Sequence, residues 1–111
     1  MQLQRSETDN TLIVHVEDPR IDAACAIDFK EAMRELTAMP TDRVILDLSK
    51  VGFIDSSGLG AVVAIRKMLG PDRSFELACL SPSVEKVFRL TRMDRIFAIH
   101  ATVPVSQQRA Q

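Results

Sequence analysis

The stretch from Val44 to Leu69 constrains the fold more than any other part of the chain. Val44, Ile45, Leu46 and Leu48 form a nearly continuous aliphatic run, which predicts a strand covered on at least one face. Asp55, Ser56 and Ser57 follow, residue types that satisfy the free N–H groups at a helix start. Leu59, Val62, Val63, Ile65, Met68 and Leu69 then recur at helical spacings after Gly58. Gly70-Pro71 stops that helix, since Gly fits the C-terminal turn and Pro cannot continue it. Two serines are thus presented at the positive end of a helix, after a strand and beside a carboxylate.

The flanking segments repeat this alternation. Gln2 to Glu7 reads as a weak strand, Thr8-Asp9-Asn10 as a polar turn, and Thr11 to Val16 as a second strand. In that second strand Leu12, Val14 and Val16 alternate against Thr11, Ile13 and His15. Glu17 to Arg20 breaks the pattern, and a helix is expected from about Ala23 to Ala38 with Asp22 as its N-cap. Its apolar stripe is Cys25, Phe29, Ala32 or Met33, and Leu36. Ser74 to Leu80 predicts a further core strand with Phe75, Leu77 and Cys79 on one face. Ser81-Pro82 opens a helix striped by Val84, Val87, Phe88 and Thr91. Arg95 to His100 is expected as a last short strand, followed by a polar tail from about residue 102 with a loose helix after Pro104 or a frayed end.

The order ββαβαβαβ implies one α/β domain over residues 1–111, with a mixed sheet of four to five strands. The first hairpin supplies an antiparallel edge and the rest parallel crossovers. Functional groups then gather where strands end and the next helices begin. Asp22 and Asp55-Ser56-Ser57 occupy such positions, so they are expected as neighbours on one rim.

Composition narrows the function. Formal net charge is −1, and Trp and Tyr are absent, so neither a basic field nor a stacking platform for nucleic acid is present. Charge is unevenly placed: residues 1–60 hold 6 Lys and Arg against 11 Asp and Glu, and residues 61–111 hold 8 against 4. Charge patterning alone reads this as two solvated faces. Cys25 and Cys79 form no CxxC, and with two His at no metal-ligand spacing they read as reduced thiols with no zinc site. No cofactor is expected. The N-terminus has no apolar signal segment and no apolar run approaches 18 residues, so no membrane span and a cytoplasmic location are expected.

Catalytic patterns fail. A nucleophile elbow needs Gly two residues before its Ser, but Ile54 and Asp55 stand there for Ser56 and Ser57. Gly58-Leu59-Gly60 is followed by Val63 where a dinucleotide loop needs Gly, and no Gly-Lys-Ser/Thr occurs. Two readings of Asp55-Ser56-Ser57 remain open. They cap a helix, or one serine carries a phosphorylation switch. A phosphoserine adds about −1.5 to −2 charges. The start of a helix tolerates that anion, so the fold survives while a partner docking on the rim meets new charge.

Three segments then resemble the STAS-domain anti-sigma factor antagonists. They are DLSKVGFIDSSGLGAVVAIRK, the upstream RIDAACAIDFKEAM, and LACLSPSVEKVFRLTRMDRIFAIH. Together they span most of the chain, and DSSGLG is the most specific part. The resemblance implies a STAS-like fold and a non-enzymatic role. Such proteins bind an anti-sigma factor that is also a serine kinase, and so release a sigma factor. The kinase phosphorylates the serine after the Asp, here Ser56, and a PP2C-like phosphatase reverses it. Asp22, Asp55, Ser57, Gly58 and Leu59 are then expected to shape or contact the partner surface. Separately, Ala61, Val62, Val63, Ala64 and Ile65 run almost around the central helix, an apolar surplus that fits either deep packing or a docking surface, and Leu59, Val62 and Val63 are expected near the partner rim. The chain departs from the family at Pro19, where a Gly is frequent, and in a short, Pro-interrupted C-terminal helix. The alternative in the same family is a STAS scaffold module in a sensory, secretion-regulating or lipid-transport complex, indifferent to phosphorylation.

Overall fold

A computed structural model describes residues 1–104. The tail from residue 105, including most of the helix expected after Pro104, lies outside the described residues.

Strands β1 (Leu3–Thr8) and β2 (Thr11–Val16) form the antiparallel hairpin. Asp9 and Asn10 link them, both at positive φ (49° and 61°), the backbone that a two-residue hairpin turn requires. A two-residue strand β3 (Arg20–Ile21) precedes helix α1 (Ala26–Leu36). Then come β4 (Arg43–Asp47), a second two-residue strand β5 (Phe53–Ile54), and helix α2 (Ser56–Leu69). Strand β6 (Ser74–Ala78), helix α3 (Pro82–Leu90), a 3-10 turn (Met93–Arg95) and β7 (Ala98–His100) complete the described chain.

The main sheet runs β1-β2-β4-β6-β7, with β2, β4, β6 and β7 parallel. The chain steps across the sheet in one direction, and right-handed crossovers then put every helix on the same face. Leu12, Val14 and Val16 of β2, Val44 and Leu46 of β4, and Phe75 and Leu77 of β6 point into that core. Phe29 and Met33 of α1, Val62 and Ile65 of α2, and Val84 and Phe88 of α3 close over them. The opposite face carries a smaller apolar cluster of Ile13, Ile45 and Ala78 among charged side chains.

Three sequence expectations are corrected. Helix α1 starts at Ala26 rather than Ala23, with Cys25 in the N-cap position and no side-chain cap. Asp22 instead accepts from Ala24 N–H (3.1 Å) and shapes the turn ahead of the helix. Strand β6 ends at Ala78: Cys79 turns to a positive φ (63°) and packs with the outer-face cluster, not beside Phe75 and Leu77. The last strand begins at Ala98, because Met93–Arg95 is taken up by the 3-10 turn. Gly70 stops α2 at φ 81° and ψ 178°, backbone open only to Gly.

Candidate functional site

The rim is built where α2 meets β3 and β5. These two short strands pair in parallel, Arg20 with Phe53 and Ile21 with Ile54, and stand apart from the main sheet. Two residues a side are too few to show periodicity, so neither strand is visible in the residue pattern. Their pairing brings the turn before α1 against the start of α2.

Asp55 locks that junction. Its Oδ1 accepts from Gly58 N–H at 2.8 Å, capping α2, and its Oδ2 accepts from Ala23 N–H at 3.2 Å. The Asp55 N–H in turn donates to the Ile21 carbonyl at 3.3 Å. Asp22 and Asp55 are therefore neighbours, as expected from their places at strand ends. Gly58 sits directly beneath β3, where a Cβ would overlap the Ile21 carbonyl oxygen. Only a residue without a side chain lets α2 approach β3 so closely.

Asp22 faces outward from the same corner. Arg20 Nε donates to its Oδ2 at 3.0 Å, and this hydrogen bond, opposed by partial desolvation, holds its carboxyl below the usual carboxylate range. The Arg20 guanidinium also lies 4.3 Å from the centre of the Phe53 ring. Phe53 is 41% exposed, a large apolar ring left at the surface. Neither Arg20 nor Phe53 stands out in the residue pattern as a rim residue. The only available signal was an aromatic in a short polar link.

Ser56 and Ser57 are the first two residues of α2, and both are exposed. Neither hydroxyl is engaged by another described residue. The cap belongs to Asp55, so the serines are spare. Leu59 is half-buried against the core. Gly58 is buried and shapes the rim from beneath. Val62, expected near the partner surface, is fully buried in the core and reaches no rim; Val63 is half-buried.

The outer face of the sheet holds a second set of polar groups. Asp47 Oδ2 lies 2.7 Å from His15 Nδ1, and Ser6 Oγ lies 3.2 Å from His15 Nε2. This is a Ser–His–Asp series, yet its serine sits on the exposed edge strand β1. Two clefts, about 550 and 280 Å³, flank β7 at the other edge of the sheet. Next to it Glu76 accepts a two-pronged bond from Arg43 (2.8 Å each), with Ser74 and His100 completing its shell. The Arg43 hydrogen bonds outweigh desolvation and hold the Glu76 carboxyl at about 2. Among the described residues no group of three or more His, Cys, Asp or Glu could hold a metal ion, and no helix is long and apolar enough to cross a membrane.

Known proteins resemble this chain in sequence and fold. The STAS domain model covers residues 2–105. A STAS-domain containing protein of Pseudomonas aeruginosa is 30% identical over 81 residues, 72% of this chain and 79% of the relative. A Thermotoga maritima protein named as a candidate anti-sigma factor antagonist is 41% identical over 64 residues, 56% of each chain. The crystal structure of a Thermotoga maritima protein bearing the same description superposes with a TM-score of 0.82 at 26% identity, covering 96% of this chain and 92% of that one. The family model takes in the hairpin, the β3–β5 pair, the serine-bearing helix and the last strand, and the chain belongs to the STAS domain family.

Proposed function

We propose that this protein is an anti-sigma factor antagonist that acts by binding and is controlled by phosphorylation of Ser56. The observation that carries the proposal is the division of labour at the start of α2. Asp55 supplies the cap and the tie to Ala23, while the Ser56 hydroxyl beside it is exposed and unengaged. A group can be added there without removing an interaction the fold uses. The N–H groups of the first helical turn and the helix dipole favour an anion at that point. A partner seated on the rim, by contrast, meets the new charge next to Asp22 and Asp55.

The partner is an anti-sigma factor with serine kinase activity, and a PP2C-like phosphatase restores the binding form in the cytoplasm. The relatives described as anti-sigma factor antagonists support the general role. Asp22, Asp55, Ser57 and Leu59 form the contact rim, joined by Arg20 and Phe53. Gly58 holds its shape from below, and Val62 serves the core.

The test is phosphate incorporation read by intact mass, with a serine-kinase anti-sigma factor and ATP. Wild type and Ser57→Ala gain one phosphate and Ser56→Ala gains none. Loss confined to Ser57→Ala moves the switch by one residue. No phosphate on a chain that still binds the kinase tightly overturns the switch and leaves a scaffold module.

A further inference from the structure

The end of the molecule remote from Ser56 carries a second surface. Arg66 lies ten residues along α2 from Ser56, about 15 Å down the helix axis at 1.5 Å per residue. There a cleft of about 550 Å³ opens between the end of α2, the start of β6 and the approach to β7. Arg66, Lys67 and Arg73 line it together with Ile96 and Ala98.

Its cations differ in availability. Arg73 is spent on structure: its guanidinium donates to the carbonyls of Thr37, Met39 and Thr41 and to Thr41 Oγ1, holding the end of α1. Arg66 and Lys67 are exposed, and neither is in an ion pair among the described residues. Arg66 only leans toward the Phe97 ring, 6.0 Å from its centre. The carboxylate in the cleft, Glu76, is already matched by Arg43 and His100, so it leaves the two free cations unopposed. The half of the sequence that contains them holds 8 Lys and Arg against 4 Asp and Glu.

The shape selects among anions. Arg66 and Lys67 are consecutive on a helix, so their side chains diverge by about 100° and do not converge on one phosphate. The floor is the start of β6, whose backbone is committed to the sheet: Ser74 and Phe75 pair with β4, and Ser74 N–H donates to the Asp42 carbonyl. The cleft therefore offers side chains, two separate cations and an apolar contact, which suits a chain carrying more than one carboxylate. Ile96, 40% exposed, supplies the apolar contact.

We propose that this cleft is a second binding site, for an acidic segment of a protein partner that sets its carboxylates on Arg66 and Lys67 and an apolar side chain against Ile96. The site is independent of the rim. It lets one partner be held while the surface at Ser56 is free or modified.

The probe is a fluorescein-labelled ten-residue peptide alternating Glu and Leu, with a Lys/Leu peptide of equal length as its counterpart. The acidic peptide binds by anisotropy. Amide shifts appear at Arg66, Lys67, Ser74, Phe75, Ile96 and Ala98, and not at Ser56 or Ser57. Arg66→Glu/Lys67→Glu lowers affinity at least tenfold, and Arg66→Gln/Lys67→Gln gives an intermediate loss without placing acid at the helix end. Ser56→Asp leaves peptide binding unchanged. The proposal is overturned by no binding at millimolar peptide, equal binding of the basic peptide, shifts centred on the rim, or the same loss from reversing two exposed charges elsewhere (Arg34→Glu/Lys86→Glu). Self-association in sedimentation that vanishes in Arg66→Glu/Lys67→Glu also overturns it, since a second copy then occupies the cleft.

Discussion

The rim around Ser56 and the outer face of the sheet are both built on carboxylates, but the carboxylates have different partners. At the rim, Asp55 bonds only the backbone N–H groups of Gly58 and Ala23, while Asp22 bonds that of Ala24 and is paired with Arg20. On the sheet face, Asp47 bonds His15, and Glu76 bonds Arg43 and His100. A backbone amide orients a carboxylate without cancelling its charge, whereas an Arg or a protonated His cancels it. Asp55 has no cationic partner among the described residues, so the rim keeps negative charge at the surface. On the sheet face the charge of Glu76 is matched by Arg43. One region is arranged to be met by a partner and the other to hold strands together.

The largest effect is expected where the rim depends on backbone contact. Gly58→Ala forces a methyl group into the Ile21 carbonyl, and neither α2 nor β3 can yield without breaking the Asp55 ties. Overpacking of this kind costs about 3 kcal/mol. Urea denaturation reads it, and Gly60→Ala, where a Cβ meets nothing within 4 Å, is the matched control. Equal stability of the two variants breaks the claim that the rim is set by close approach.

How much of this was legible beforehand follows from what each signal measures. Periodicity found β2, β4, β6 and the three helices, because their apolar residues alternate or recur on one stripe. Gly70 and Ser81-Pro82 marked helix ends through backbone chemistry that is local. Local signals failed where tertiary contact decides. The β3–β5 pair has two residues a side and exists only because the chain returns beside itself. The α1 start was misplaced because Asp22 is an equally good turn former, and Asp55, 33 residues away, takes the next amide. The serine rim was visible in Asp55-Ser56-Ser57-Gly58, yet only geometry separates the residue that caps from those left free. Val62 carried the same apolar signal as Leu59, and helix rotation alone sends one to the core and leaves the other half-buried.

The second effect belongs to the sheet face and depends on pH. The Glu76 carboxyl is depressed from 4.5 to about 2 in the folded protein, chiefly by Arg43. Its contribution is therefore complete above about pH 4.5, where the unfolded chain is also ionised, and is lost as pH falls toward 2. The change is on the order of 2–3 kcal/mol. At Asp47 burial alone pushes the carboxyl up, but the bonds from His15 and Ser49 together outweigh it and lower it, so it adds in the same direction. Urea midpoints followed from pH 6 to pH 2 show the fall in wild type and a shallower one in Glu76→Gln. Parallel curves remove Glu76 from the account of acid stability.

A smaller loss tests whether the rim carboxylate acts as a cap. Asp55→Ala removes the acceptor for both Gly58 and Ala23 and is expected to cost about 1–2 kcal/mol. Asp55→Asn keeps one acceptor oxygen and falls between. The contrast with the sheet face predicts that this loss depends less on salt, since the partners are uncharged amides and only the helix dipole is screened, than that of Arg43→Gln, which shrinks in high salt. Equal salt dependence erases the distinction between the two regions.

The smallest effect on stability is expected at the residue with the largest proposed effect on binding. Ser56→Asp places an anion on the first turn of α2, where the helix dipole favours it by about 0.3–1 kcal/mol. Asp55 next to it, with no cation of its own, repels that anion by a similar amount. The two nearly cancel, and unfolding free energy should change by less than about 0.5 kcal/mol, the range of an ordinary surface substitution. Binding to the kinase partner should nonetheless fall at least tenfold, because a docked partner excludes the water that screens the added charge. Calorimetry of Ser56→Ala, Ser56→Asp and Ser57→Asp against one partner reads this directly. If Ser56→Asp destabilises the fold as much as Asp55→Ala does, its loss of binding is a consequence of a damaged rim. If it binds poorly on an intact fold, the spare hydroxyl at Ser56 is a control point that the surrounding carboxylates hold open without using it.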